Sequence, residues 1–199
     1  WELNHALAGG KINKIAQPEK DELMLTIKNN RKQYRLLVSA SASLPLVYLT
    51  DQNKTGPMTA PNFCMLLRKH IGSGRILRIW QPGKERILNM EIEHLNELGD
   101  LCRKRLIVEI MGKHSNLILT DETGKILDSI KRVTHEKSSV REVLPSKEYV
   151  FPPSQDKKNP LLAEQADFLF SLHLQEGRRL QEFLYQTYTG ISPVMAGEI

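Results

Sequence analysis

The residues of this chain with chemistry to offer are six histidines, two cysteines and a surplus of cations, and their spacing excludes most catalytic uses. His5, His70, His94, His114, His135 and His173 are scattered, and none falls in HExxH or another metal-ligand spacing. Cys64 and Cys102 belong to neither a CxxC nor a CxxH arrangement and are expected as thiols rather than a disulfide, which points to a reducing, cytoplasmic setting. No GxSxG elbow, Walker loop or GxGxxG fingerprint occurs, and no nucleophile is paired with a base. Gly9-Gly10-Lys11 is too short to cradle a phosphate and reads as a flexible entry into a first strand. The expectation is a non-enzyme with no metal and no cofactor.

The cations carry more. Lys and Arg outnumber Asp and Glu by 28 to 23, a net charge of +5 that permits a polyanionic partner without requiring one. Arg68, Lys69, Arg75 and Arg78 gather around one helix and its exit; Arg103, Lys104 and Arg105 precede one strand, and Lys131, Arg132 and Lys137 end another. Cations at element ends can follow a phosphodiester backbone, although a plain solvated basic surface accounts for the same charges equally well. Aromatic residues, 6% of the chain, are too few for a clear base-stacking signature. Glu85-Arg86 follows Pro82-Gly83 at a hairpin tip, where a guanidinium can fork onto a phosphate or base edge; a surface salt bridge is the alternative. Over 106–111, alternation puts Leu106, Val108 and Ile110 on one face and Ile107, Glu109 and Met111 on the other. An acid between apolar neighbours suits a shallow contact surface, or equally a Glu paired with a nearby Arg.

These residues need elements to hold them. The chain, 199 residues with 40% hydrophobic content, can hold one full domain and part of a second, and no apolar run approaches the roughly 20 residues of a membrane span. It opens on Trp1 rather than Met, as a fragment of a longer protein would. Alternation in Leu23, Leu25 and Ile27 and again over 34–39 predicts strands joined at Asn29-Asn30, with a further strand at 46–49. Phe63, Leu66, Leu67 and Ile71 have helical spacing between Pro61 and Gly72; Arg68 and Lys69 point away from that stripe, and His70 falls on it as a core or helix-end histidine. Strands follow over 75–81, 86–92, 106–111, 117–120 and 125–133. Prolines at 145, 152, 153 and 160 mark a linker, Asn159-Pro160 starts a helix, and a helix through Leu180 to Tyr188, Gly190 and Ser192-Pro193 outline a helix-hairpin-helix. The expected architecture is α+β, a strand-rich sandwich or barrel-like domain over 1–144, a linker over 145–159 and the first part of a helical domain over 160–199.

Several short motifs recur in order: Gly9-Gly10-Lys11-Ile12 with Gln17-Pro18; Phe63-Cys64-Met65-Leu66-Leu67-Arg68-Lys69-His70; Gln81-Pro82-Gly83-Lys84-Glu85-Arg86-Ile87; Glu109-Ile110-Met111-Gly112-Lys113-His114-Ser115-Asn116; then Leu144-Pro145, Tyr149, Pro152-Pro153 and Asn159-Pro160. Together they resemble, over nearly the whole chain, the N-terminal region of the NFACT family, ribosome quality-control factors also called fibronectin-binding protein A. The resemblance implies a fold similar to the N-terminal domain of formamidopyrimidine-type DNA glycosylases, followed by helix-hairpin-helix motifs. It also implies binding to large ribosomal subunits carrying peptidyl-tRNA, and recruitment of alanyl-tRNA for template-free alanine tailing. Within the family an acid-Arg pair and a Glu-Ile-Met segment bind tRNA near its anticodon arm, here Glu85, Arg86, Glu109, Ile110 and Met111. The family's acid at the first position is usually Asp, one methylene shorter than Glu85. Arg68, Lys69, Lys113 and His114 are candidate RNA contacts, and Ser146 stands where the family usually has Gly. Two other classes remain: a base-excision protein, which would need an N-terminal amine nucleophile, and a surface adhesin for fibronectin.

Overall fold

A computed structural model describes residues 1–153, 157–175 and 177–199. It divides into two compact units, Trp1–Val150 and Phe151–Ile199. The middle of the expected linker, 154–156, lies outside the described residues.

The first unit opens with a short helix, α1 (Glu2–Leu7), which the strand alternation gave no sign of. The strands β1 (Lys11–Ala16), β2 (Glu22–Asn29), β3 (Lys32–Ser39) and β4 (Leu46–Leu49) follow. After α2 (Asn62–Ile71) come β5 (Arg75–Trp80), β6 (Ile87–Leu95), β7 (Leu101–Glu109), β8 (Asn116–Asp121) and β9 (Ile126–Ser129). They form one antiparallel sheet in the order β4-β3-β2-β1-β5-β6-β7-β8-β9.

The expected sandwich is a single sheet folded over itself. Ala40 directly follows β3 and Lys131 lies just past β9, and the Lys131 ammonium donates to the Ala40 carbonyl. In a flat sheet those strands, seven positions apart, would be about 34 Å from each other, so the sheet must coil until its two halves meet. The bend is at β1–β5, which share one register pair, Lys11↔Arg75. Glycines allow the close crossing there: a Cβ on Gly10 would lie 2.7 Å from Ile27 Cγ2, and one on Gly74 2.7 Å from Ile92 Cγ2. Gly10 is thus a site of tight packing and Gly9 a left-handed turn position at φ 84°, rather than a flexible entry. Inside the fold, Leu23, Leu25, Ile27, Leu106, Val108 and Leu119 share one core with Phe63, Cys64, Leu67 and Ile71 of α2.

The sequence-derived strands and α2 hold with shifts at their ends: β9 stops at Ser129 rather than 133, so Lys131, Arg132 and Lys137 lie beyond it; three further displacements matter more. The β2–β3 turn is Asn30-Arg31, one residue on, with positive φ at both (46° and 66°) as the twist of a two-residue hairpin requires. Asn29 is instead paired within the sheet, and its side-chain amide caps α1 by donating to Ala6 O and Ala8 O. Strand β7 begins at Leu101, so Arg103, Lys104 and Arg105 lie in it rather than before it. Third, residues 144–149 are not free linker: Ile126 N donates to Lys147 O, Ser146 N to Ile126 O and Tyr149 N to Gly124 O. Ser146 occupies a left-handed turn position, φ 70°, which favours glycine. With the Val133↔Val143 bridge, this stretch covers the outer face of the sheet over Ile87, Ile107, Ile118 and Ile126.

The second unit has its own small core of Phe183, Leu184, Tyr188 and Ala196, with Phe168 edge-on to Phe183 at 5.5 Å. Its helices are α3 (Gln165–His173), α4 (Leu180–Thr187) and α5 (Pro193–Glu198), preceded by a 3-10 turn, Pro160–Leu162, capped by Asn159 Oδ1 accepting from Leu161 N. Gly190, at φ 79°, lies between α4 and α5, and Ser192 Oγ caps α5.

Candidate nucleic-acid interface

Antiparallel pairing decides which motifs meet. Ile87 at the start of β6 faces Glu109 at the end of β7, and Glu109 faces Asn116 at the start of β8. The β5–β6 connection, 81–86, and the β7–β8 connection, 110–115, therefore sit side by side, joined by Ile110 N donating to Arg86 O at 2.8 Å. The acid-Arg and Glu-Ile-Met segments, more than twenty residues apart in the chain, are brought together.

Each loop is held by its own polar groups. Gln81 Nε2 donates to Glu85 O at 2.6 Å, Glu85 N to Pro82 O at 3.1 Å, and Gly83 turns the chain at φ 54°. Across from it, Met111 N donates to Ser115 Oγ at 2.8 Å and Gly112 also takes φ 54°. Asn116 fastens the far side: its amide nitrogen donates to Lys131 O at 2.8 Å and its oxygen accepts from Lys131 N at 3.0 Å. The two loops expose Lys84, Glu85 and Arg86 on one and Lys113 and His114 on the other. Neither the three cations nor His114 has a hydrogen bond or ion pair to another side chain among the described residues.

Among the described residues several cations elsewhere are engaged, though Arg75, Lys104 and Lys137 are not. Arg78 pairs with Glu91 at 2.7 Å and stacks on Trp80 at 4.3 Å, with Arg105 on the same ring at 5.5 Å. Arg132 forks onto Asp128. Burial works to raise the Asp128 pKa, but the Arg132 hydrogen bonds, the Ser129 N–H and the Arg132 charge together outweigh it and hold the carboxyl below its ordinary range. Arg68 does not point freely away from α2: its Nε donates to Ile15 O at 2.9 Å and ties the helix to β1. Lys69 pairs with Glu97, in the turn at the other end of the β6–β7 hairpin. That hairpin spans eight residue steps, about 27 Å, so Lys69 is not part of the Arg86 cluster.

Glu109 departs furthest from expectation. The alternation along β7 is as read, but both faces are covered, and Glu109 is 0% exposed. Arg141 places its two terminal nitrogens on the two carboxylate oxygens, and Tyr149 Oη donates to Oε1 at 2.8 Å. Glu109 is therefore a buried paired acid and offers no surface contact; Ile110 and Met111 are partly buried, packed against the inner and outer cores. Burial would lower the Arg141 pKa, yet the Glu109 carboxylate outweighs it and raises it; burial first and then Glu109 raise that of Tyr149. Arg141 and Tyr149 lie 32 and 40 residues from Glu109, beyond any local pattern, although Tyr149 belongs to a motif already noted.

Both cysteines are free thiols, and no group of His, Cys, Asp and Glu among the described residues could hold a metal. No helix among them is long and apolar enough to cross a membrane.

The chain matches the family described as NFACT N-terminal and middle domains over residues 1–199. It is 44% identical over 198 residues to "Rqc2 homolog RqcH" of Bacillus subtilis, covering 99% of this chain and 35% of that protein. To the human "Ribosome quality control complex subunit NEMF" it is 26% identical over 140 residues, 70% of this chain and 12% of that one. The solved N-terminal domain of fibronectin-binding protein PavA from Streptococcus pneumoniae superposes with TM-score 0.87 at 36% identity, covering 99% of this chain and 73% of that one. The chain thus spans about a third of the length of the curated bacterial relatives it matches. With a family match from first residue to last and a shared fold, this chain belongs to the NFACT family, as its N-terminal and middle domains.

Proposed function

We propose that this chain is the tRNA-holding part of a ribosome quality-control factor, a binding module rather than a catalyst. The observation that carries the reading is the pairing of two exposed loops through Ile110 N and Arg86 O, which puts the loop of Lys84 and Arg86 beside that of Lys113 and His114, with the Lys and Arg charges unpaired among the described residues. Such a set meets phosphates without first breaking ion pairs. The names of the bacterial and human relatives support the setting, translation in the cytoplasm. In this reading Arg86 makes a direct contact and Glu85 accepts from a base or sugar. Alanyl-tRNA is the proposed cargo, the large subunit with peptidyl-tRNA is the proposed platform, and alanine tailing is the activity served.

Fluorescence anisotropy with labelled tRNA tests this. Binding should weaken as salt rises, since each phosphate contact releases counterions. Arg86→Ala should reduce affinity about tenfold or more, the worth of a charge-assisted contact, and leave the melting temperature nearly unchanged because the side chain is exposed. Salt-indifferent binding, or unchanged affinity in Arg86→Ala, would sink the reading. The PavA likeness favours a second reading, fibronectin binding, so immobilised fibronectin belongs in the same experiment. Tight capture there with no tRNA signal would favour it instead.

A further inference from the structure

Glu109 sits directly before the β7–β8 loop, yet no ligand can reach it. Its two oxygens are occupied by Arg141 and Tyr149, and the residue is wholly buried. Arg141 is itself three-quarters or more withdrawn from solvent, at 14% side-chain exposure, and its NH1 also donates to Val150 O at 2.8 Å. One guanidinium thus ties the end of β7 to the covering segment at two points. An apolar trio of the same volume would fill this space without the desolvation of two charges. What a forked ion pair adds is a fixed register between the parts it joins.

We propose that Glu109, Arg141 and Tyr149 are positioning residues that clamp the β7–β8 loop, so that Lys113 and His114 are held beside Arg86 before RNA arrives. The inference rests on the RNA-binding reading above. It assigns to Arg141 and Tyr149 a part in recognition, and it makes Glu109 act through the loop rather than by touching RNA. Lys113 and His114 lie in a short 3-10 turn, Gly112–His114, that begins three residues after Glu109. Its footing is Glu109 on one side and the Asn116–Lys131 bonds on the other. Loosening the first footing leaves the cations present but unfixed, and binding then has to order them.

The test uses the whole chain and two gentle variants, Tyr149→Phe, which removes one hydroxyl, and Arg141→Lys, which keeps the charge and loses the fork. Both should still melt cooperatively above the assay temperature. Both should weaken tRNA binding, by about three- to tenfold for the lost hydrogen bonding, and speed deuterium uptake over 110–115. Because clamp and cation act through one loop, the losses in Tyr149→Phe and Lys113→Ala should combine to less than their sum. Variants that melt lower but bind tRNA as tightly as the parent would overturn the inference, since the clamp would then serve stability alone. So would a loss confined to Glu109→Gln, the pattern of direct contact, or full additivity with Lys113→Ala. If the parent itself fails to bind tRNA, the functional reading falls and takes this one with it; a parent that binds beside variants that bind equally well removes only the clamp.

Discussion

At the scale of single residues, the useful distinction is between charges that are paired and charges that are not. Arg86 and Lys113 look no different in composition from Arg132 or Arg141, but the latter two are fastened to Asp128 and Glu109. Histidines divide in the same way. His94 is 8% exposed; its Nδ1 is 3.1 Å from Leu95 O, and its Nε2 is buried with no hydrogen-bond partner. Burial lowers its pKa below the ordinary 6.5 against the raising effect of the Leu95 hydrogen bond, with Lys104 adding to the depression. Burial likewise lowers that of His70, with Lys104, Lys69 and His94 acting in the same direction and Glu97 against. A depressed histidine means that the unfolded chain takes up protons first on acidification. Stability is therefore complete above about pH 6.5 and declines as pH falls below it, toward the folded-state pKa. Melting temperatures at pH 7.5 and 5.5 should show the drop, and His94→Gln should narrow it. An equal drop in both proteins would mean that His94 is not a source.

At the scale of elements, α2 is the wedge between the halves of the coiled sheet. Phe63, Cys64, Leu67 and Ile71 are buried in the main core, while Leu66 is only partly so and Met65 is exposed. Leu67→Ala should cost about 2 to 5 kcal/mol as a cavity-forming change in a fully buried site. Lys69→Ala removes an exposed pair with Glu97 and should cost less than about 1 kcal/mol. Arg68→Ala should fall between them, because it loses the bond to Ile15 O that anchors the helix to β1. Urea melts of the three variants give the ordering directly; a Lys69→Ala loss as large as that of Leu67→Ala would mean the helix faces the other way.

At the scale of the molecule, the boundary at 150/151 separates two sets of core residues. The first unit contains the coiled sheet, both loops and the clamp, including the Val150 carbonyl that Arg141 holds. A protein of residues 1–150 should accordingly melt in one cooperative step and retain the tRNA affinity of the loops. A cut at 144, where alternation and prolines alone would end the domain, removes Tyr149 and the strand-like stretch along Gly124–Ile126. That shorter protein should melt lower and bind more weakly. If the two behave alike in both measurements, residues 145–150 are linker after all.

What the sequence by itself determined is whatever depends on neighbours along the chain: the alternation of β2 and β3, the stripe of α2, the hairpin tip at Pro82-Gly83, the caps of Asn159 and Ser192, and the motif order that identifies the family. Local sterics and periodic burial act over a few residues, so they can be read directly. Tertiary structure alone decided that one sheet closes on itself through Lys131 and Ala40, that 133–149 covers the outer face, and hence that Glu109 is buried. A period-two pattern says which side chains share a face but not whether another part of the chain covers that face. Glu109 between Ile107 and Met111 fits an exposed contact and a buried ion pair equally well, and the Arg that settles the matter is 32 residues away. The proximity of Arg86 to the β7–β8 loop, by contrast, follows from register, which is fixed only when the strands pair.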